Sequence, residues 1–70
     1  MTELLFTLQG EFIELFKLLK VCSLCESGGE AKYAVSQLLV RVNGEIETRK
    51  AFKVRAGARV EYNGQTIVVK

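Results

Sequence analysis

Residues 25–35 read CESGGEAKYAV, and the fold turns on how this stretch begins a helix. Ser27 followed three residues later by Glu30 has capping-box spacing. The hydroxyl takes an amide of the first turn, and the carboxylate returns to the Ser27 amide. The spacing predicts a helix from Ser27 to about Gln37, with Ala31, Ala34, Val35 and Leu38 on its core face and Lys32 and Ser36 together on another. Yet the first turn is Gly28-Gly29, and a glycine inside a helix costs roughly 1 kcal/mol against alanine. The pair has two readings. It eases a tight turn between packed helices, or it leaves the amides of Gly28 and Gly29 bare for a phosphate, with Lys32 one turn further on reaching the same anion.

Toward the amino terminus, EFIELFKLLKV (residues 11–21) follows a 3.6-residue period. Phe12, Leu15, Phe16, Leu18 and Leu19 fall on one broad arc, with Glu14, Lys17 and Lys20 opposite. This predicts an amphipathic helix, joined through residues 22–26 to the second as a compact helix–turn–helix unit. Residues 4–8, LLFTL, read as a short first strand ended by Gln9-Gly10.

Toward the carboxyl terminus the period switches to two. Val40 and Val42 point inward with Arg41 outward, and Phe52 and Val54 alternate with Lys53 and Arg55. Asn43-Gly44 and Asn63-Gly64 each supply a two-residue hairpin turn, while Ala56-Gly57-Ala58 reverses the chain between them. Val60, Tyr62, Ile67 and Val69 complete the inward set. The expected class is α+β: a helical pair on a small antiparallel sheet of four to five strands, one domain over residues 1–70.

Composition narrows the chemistry. The chain has no His, Asp, Pro or Trp. Without His, neither a Ser-His nor a Cys-His nucleophile can be built, so an enzyme is not expected. Cys22 and Cys25 lack the further ligands zinc requires, and they read as two small buried thiols near a helix end. No cofactor is expected. No apolar run is long enough to cross a membrane, and Met1-Thr2-Glu3 lacks the basic start of a secretory leader, which predicts a cytoplasmic protein.

The net charge of +2 is unevenly placed. The cations concentrate after residue 30, above all in TRKAFKVR, where Arg49, Lys50, Lys53 and Arg55 follow Arg41 on an earlier strand. Few carboxylates lie nearby, so this segment reads as a surface for backbone phosphates. Tyr33 is the one candidate platform for a base, which favours recognition of backbone and shape.

The ordered set ESGGEAKYAV…VRVNGEIETRKAFKVRAG resembles the signature of the RNA-binding domain named after small-subunit ribosomal protein S-four, also called the alpha-L motif. It is similar above all to the short stand-alone YbcJ-like bacterial proteins. The resemblance implies two helices on a bent antiparallel sheet that grip structured RNA of the rRNA or tRNA class, or a ribosomal particle; the protein is expected to act as a monomer. Carried over by position, it implicates Ser27, Gly28 and Lys32 at the helix start, Arg41, Asn43 and Gly44 at the strand and turn, and Arg49, Lys50 and Lys53 in the basic segment. It also marks two departures. Leu38 stands where the family ends its second helix with glycine, so the left-handed cap is expected to be lost. Ala58 stands where the family has Asp, so an Asx-type turn contact is expected to be missing. The rival readings are a protein-interaction module using the acidic, helix-rich first half, and a thiol redox protein using Cys22 and Cys25.

Overall fold

Valine-rich alternation around two Asn-Gly turns builds the sheet. In the computed structural model, which describes residues 2–70, β3 (Val40–Val42) turns through Asn43-Gly44 into β4 (Glu45–Ile46). Likewise β6 (Arg59–Tyr62) turns through Asn63-Gly64 into β7 (Gln65–Val69). Both Asn residues have φ of 53°, and the glycines after them have φ of 86° and 78°. Positive φ at both central positions matches the twist of the strands on either side. Met1, part of the amino-terminal reading and of the 1–70 span, lies outside the described residues.

The five-stranded sheet has the order β1-β7-β6-β3-β4, with β1 at Thr2–Phe6. The predicted first strand therefore exists, two residues earlier, and main-chain bonds from Leu8 N to Lys70 O and from Lys70 N to Phe6 O continue it toward Leu8. One expectation needs correction. The sheet is mixed, because β1 runs parallel to β7 while every other pairing is antiparallel. Parallel neighbours need a long connection, and here the rest of the chain supplies it.

The first helix is shorter than its periodicity suggests. Ile13–Glu14 form a strand, β2, paired with β5 (Lys53–Val54), and α1 spans Leu15–Val21. Leu15, Leu18 and Leu19 are fully buried as the period requires, whereas Phe12, preceding the helix in extended chain, is 38% exposed. The second helix, α2, spans Gly28–Ser36 with Ser27 as its N-cap. Glu30 N donates to Ser27 Oγ at 3.1 Å, as the capping box demands, but the Glu30 carboxylate accepts from the Glu26 amide at 3.2 Å rather than from Ser27. Ala31, Ala34 and Val35 pack with the α1 leucines over Val40, Val54, Val60, Ile67 and Val69. Each buried Val, Leu or Ile contributes about 1.5–3 kcal/mol through removal from water.

Both helices end in the same way, on residues other than glycine. Ser23 (φ 62°) and Leu38 (φ 63°) take the left-handed conformation. After α1, Ser23 N donates to Lys20 O and Leu24 N to Leu19 O; after α2, Leu38 N donates to Val35 O and Leu39 N to Ala34 O. This is the paired bonding of a Schellman motif. The left-handed cap is thus retained at Leu38, against expectation, and Leu38 is exposed rather than in the core. Position 58 differs in another way: Ala58 is buried, its amide donating to Arg55 O.

A left-handed leucine carries a steric cost of about 1–2 kcal/mol, which glycine avoids at a smaller cost in unfolded-chain entropy. Leu38→Gly is therefore expected to stabilise the protein by roughly 1 kcal/mol in urea denaturation. A loss of stability would show that the exposed leucine contributes packing greater than its strain.

Candidate nucleic-acid interface

The seven-residue α1 has no side-chain cap; the Glu14 carboxylate before it pairs with Lys17 Nζ at 3.0 Å and takes no amide of the first turn. Main-chain carbonyls act instead. Leu15 N donates to Phe52 O at 2.9 Å and Phe16 N to Lys50 O at 3.1 Å. Together with the β2–β5 pairing, these bonds fix the segment 50–54 across the start of α1. The Phe16 ring then reaches α2: a Cβ placed on Gly28 would lie 3.7 Å from Phe16 Cδ2. Lys32 Nζ sits 4.7 Å from the centroid of the same ring. The start of α2 and the basic segment are thereby brought to one side of the molecule, with Phe16 between them.

Two further rings hold cations. Lys53 Nζ is 5.0 Å from the Phe12 centroid and Arg55 Cζ 5.9 Å from it, while Arg49 Cζ lies 4.9 Å from the Phe52 centroid. A cation over a ring gains about 0.5–1 kcal/mol at exposed sites. Phe12 and Phe16 were missed as site residues, because their spacing matched a core stripe. The detectable signal was their proximity to a cation-rich segment, but that proximity is tertiary.

Arg49, Lys53 and Arg55 line one open groove of about 750 Å³ with Asn43, Phe52 and Gly57. Asn43 Oδ1 accepts from Arg59 N at 2.9 Å, which locks the turn onto β6. Gly44 O accepts from Arg41 Nη1 at 3.3 Å. Arg41 itself is not part of this groove. It stands opposite Glu61 and Ile46 in the sheet, beside Tyr62 and Asn63 in a separate depression. Among the described residues, Lys32, Arg41, Lys50, Lys53 and Arg55 make no ion pair. Arg49 does, with Nε 3.0 Å from Glu47 Oε2 and Nη2 3.4 Å from Oε1. That hydrogen bonding holds the Glu47 carboxyl below its ordinary range and raises the Arg49 guanidinium.

The two glycines are now constrained. Neither has positive φ, and a Cβ on Gly29 would meet only Ser27 Oγ, at 3.9 Å. Neither turn geometry nor packing therefore requires glycine. Their amides have no acceptor among the described residues.

A family model described as the S4 domain matches residues 6–70. The chain belongs to the S4 domain family. Two relatives, "Putative RNA-binding protein YbcJ" of Escherichia coli and "Uncharacterized protein YbcJ" of Shigella flexneri, are each 42% identical over 57 residues, covering 81% of this chain and 81% of theirs. The solution structure of Escherichia coli YbcJ, described as revealing an alpha-L motif involved in RNA binding, superposes with a TM-score of 0.72 at 39% identity. That match covers 93% of this chain and 84% of the other.

The thiols take no part in the groove. Cys25 is buried and Cys22 half-buried, and both are free. Burial pushes both thiols up; the Glu30 carboxylate adds to the shift of Cys25, and a hydrogen bond with Tyr62 opposes it. Raised thiols are poor nucleophiles at neutral pH, and no cluster of metal-ligating side chains is present among the described residues.

Two measurements test this account. Gly29→Ala, at an unstrained helical position with free space, is expected to stabilise the fold by roughly 0.4–1 kcal/mol. A destabilised variant in thermal melts would restore a conformational role for the glycine. Because the Cys25 thiol is raised in the folded state, its contribution is full below the unfolded thiol value, roughly 8.5, and is lost as pH rises through the folded value. Urea-unfolding stability should therefore fall more steeply above about pH 8.5 in the parent than in Cys25→Ala. Parallel pH profiles would exclude the thiol as the titrating group.

Proposed function

We propose that the protein binds structured RNA, gripping backbone phosphates through the start of α2 and the basic segment 49–55. One observation carries the reading: Lys32, Lys50, Lys53 and Arg55, free of ion pairs among the described residues, are gathered on one side by Phe16, Phe12 and the main-chain bonds to α1. Unpaired cations in a row release counterions when phosphates replace them, which is the electrostatic source of nucleic-acid affinity. Ser27 holds the α2 start in place, and the free amides of Gly28 and Gly29 add donors where the helix dipole favours an anion. Glu26 and Glu30 border that same helix start, so net attraction comes from the basic segment and the amides contribute directional bonds.

Asn43 and Gly44 support the surface by fixing the turn beside it, and Arg41 reaches RNA only where the ligand extends past the turn onto the sheet. The names of the YbcJ relatives support RNA as the polymer. The rRNA or tRNA class, alone or in a ribosomal particle, suits a surface that reads backbone and shape. The reading is of a monomeric, non-catalytic module across residues 1–70, acting in the cytoplasm without a cofactor. No helix of the described residues is long and apolar enough to cross a membrane.

Affinity for a folded RNA should fall steeply with salt. Lys53→Ala and Lys32→Ala should each flatten the log–log salt dependence by about 0.7–0.9, since each removes one phosphate contact. A folded Lys53→Ala protein with an unchanged slope would remove the basic strand from the interface.

A further inference from the structure

Arg49 differs from the other cations of the segment in three respects. Its charge is already paired with Glu47 through two nitrogens, its guanidinium lies over the Phe52 ring, and its side chain is nevertheless 70% exposed. The partner carboxylate is held in turn: Glu47 is 13% exposed in its side chain and accepts from the Arg49 amide at 3.0 Å, while its own amide donates to Val40 O. A guanidinium fixed at its edge by a carboxylate and on one face by an aromatic ring presents its other face to solvent as a small rigid plane. Such a plane is a weaker phosphate clamp than a free guanidinium, because its Nε–Nη2 edge is occupied and its charge is partly neutralised, with Nη1 left to donate. It is a good stacking surface, since Arg planes stack with unpaired nucleobases.

The groove around it has the matching chemistry. Its apolar lining comes from Val42, Phe52, Ala56 and Ala58, and its cationic lining from Lys53 and Arg55. The volume of about 750 Å³ lies within the usual range of roughly 300–1,000 Å³ for small-molecule sites. Asn43 also lines it, with Oδ1 engaged by Arg59 and the side-chain NH2 making no hydrogen bond among the described residues.

We propose that this groove takes one unpaired nucleotide of the bound RNA. Its base stacks on the Arg49 guanidinium, Asn43 donates to the base edge, and Lys53 and Arg55 meet the flanking phosphates. The proposal rests on the RNA-binding reading and specifies its ligand: helical RNA interrupted by an extruded base, rather than a continuous duplex. It also reassigns Arg49 from a phosphate contact to a stacking platform.

The test compares a short RNA hairpin carrying one bulged 2-aminopurine nucleotide with the fully paired hairpin. The parent protein should bind the bulged hairpin at least about fivefold more tightly, with a change in 2-aminopurine fluorescence on binding. Arg49→Lys keeps the charge and loses the plane. It should bring the two affinities within about twofold of each other while leaving the salt slope on the paired hairpin unchanged. Lys53→Ala should lower the slope on both hairpins. Equal affinity of the parent for the two hairpins, or a bulge preference surviving in Arg49→Lys, overturns the stacking site while leaving RNA binding intact. A reduced slope on the paired hairpin for Arg49→Gln, which removes the charge, returns Arg49 to phosphate binding. Absence of salt-sensitive binding to either hairpin overturns the RNA reading itself. Circular dichroism of Arg49→Lys, an exposed substitution, verifies that the fold is kept.

Discussion

Two main-chain hydrogen bonds, from the amides of Leu15 and Phe16 to the carbonyls of Phe52 and Lys50, hold the rest of the arrangement together. A seven-residue helix is too short to be stable alone, and α1 lacks a side-chain cap. Its first turn is satisfied by a segment more than thirty positions away in the chain. The same bonds deny that segment the freedom of a loop. Lys50, Lys53 and Arg55 are thus carried on backbone tied into the core through Val54, which is fully buried. One contact supplies both the missing helix cap and the rigidity of the cationic surface.

The helix ends show a second constraint. The turn from α1 to α2 and the turn from α2 to β3 are both closed by left-handed residues, serine in one case and leucine in the other. Local propensity disfavours this choice, especially at Leu38. The hydrogen bonds that follow, to Leu19 and Lys20 or to Ala34 and Val35, explain why the conformation persists. Without it, carbonyls at the end of each helix would lose their partners. Backbone satisfaction outweighs the side-chain clash, so the cap survives the loss of its usual glycine.

What was legible in the sequence was local chemistry. The Ser27 cap, the α2 boundaries and both Asn-Gly turns rest on interactions within a few residues, and each appears where the pattern places it. The YbcJ-like resemblance likewise carries the overall class. The β2–β5 pairing and the parallel β1–β7 pairing were not legible, because they join residues about forty and more than sixty positions apart. The first helix was overextended for a related reason. Phe12 fits a helical stripe as well as it fits an extended approach, and only the tertiary partner decides. The Glu47–Arg49 pair, in contrast, was within reach. Residues two apart in extended chain share a face, and EIETRK places opposite charges at that spacing.

The fate of the phenylalanines follows from these same constraints. Phe12 and Phe16 leave ring surface outside the core that full burial would have removed from water. In exchange, the flexible stems of Lys53, Arg55 and Lys32 have somewhere to lie. A lysine ordered only on binding gives up about 0.5–1.5 kcal/mol of side-chain freedom at that moment. One already resting on a ring gives up less. The partly exposed rings therefore act on the cations as the α1 hydrogen bonds act on the backbone beneath them: each moves ordering that an RNA would otherwise have to impose into the folding of the protein.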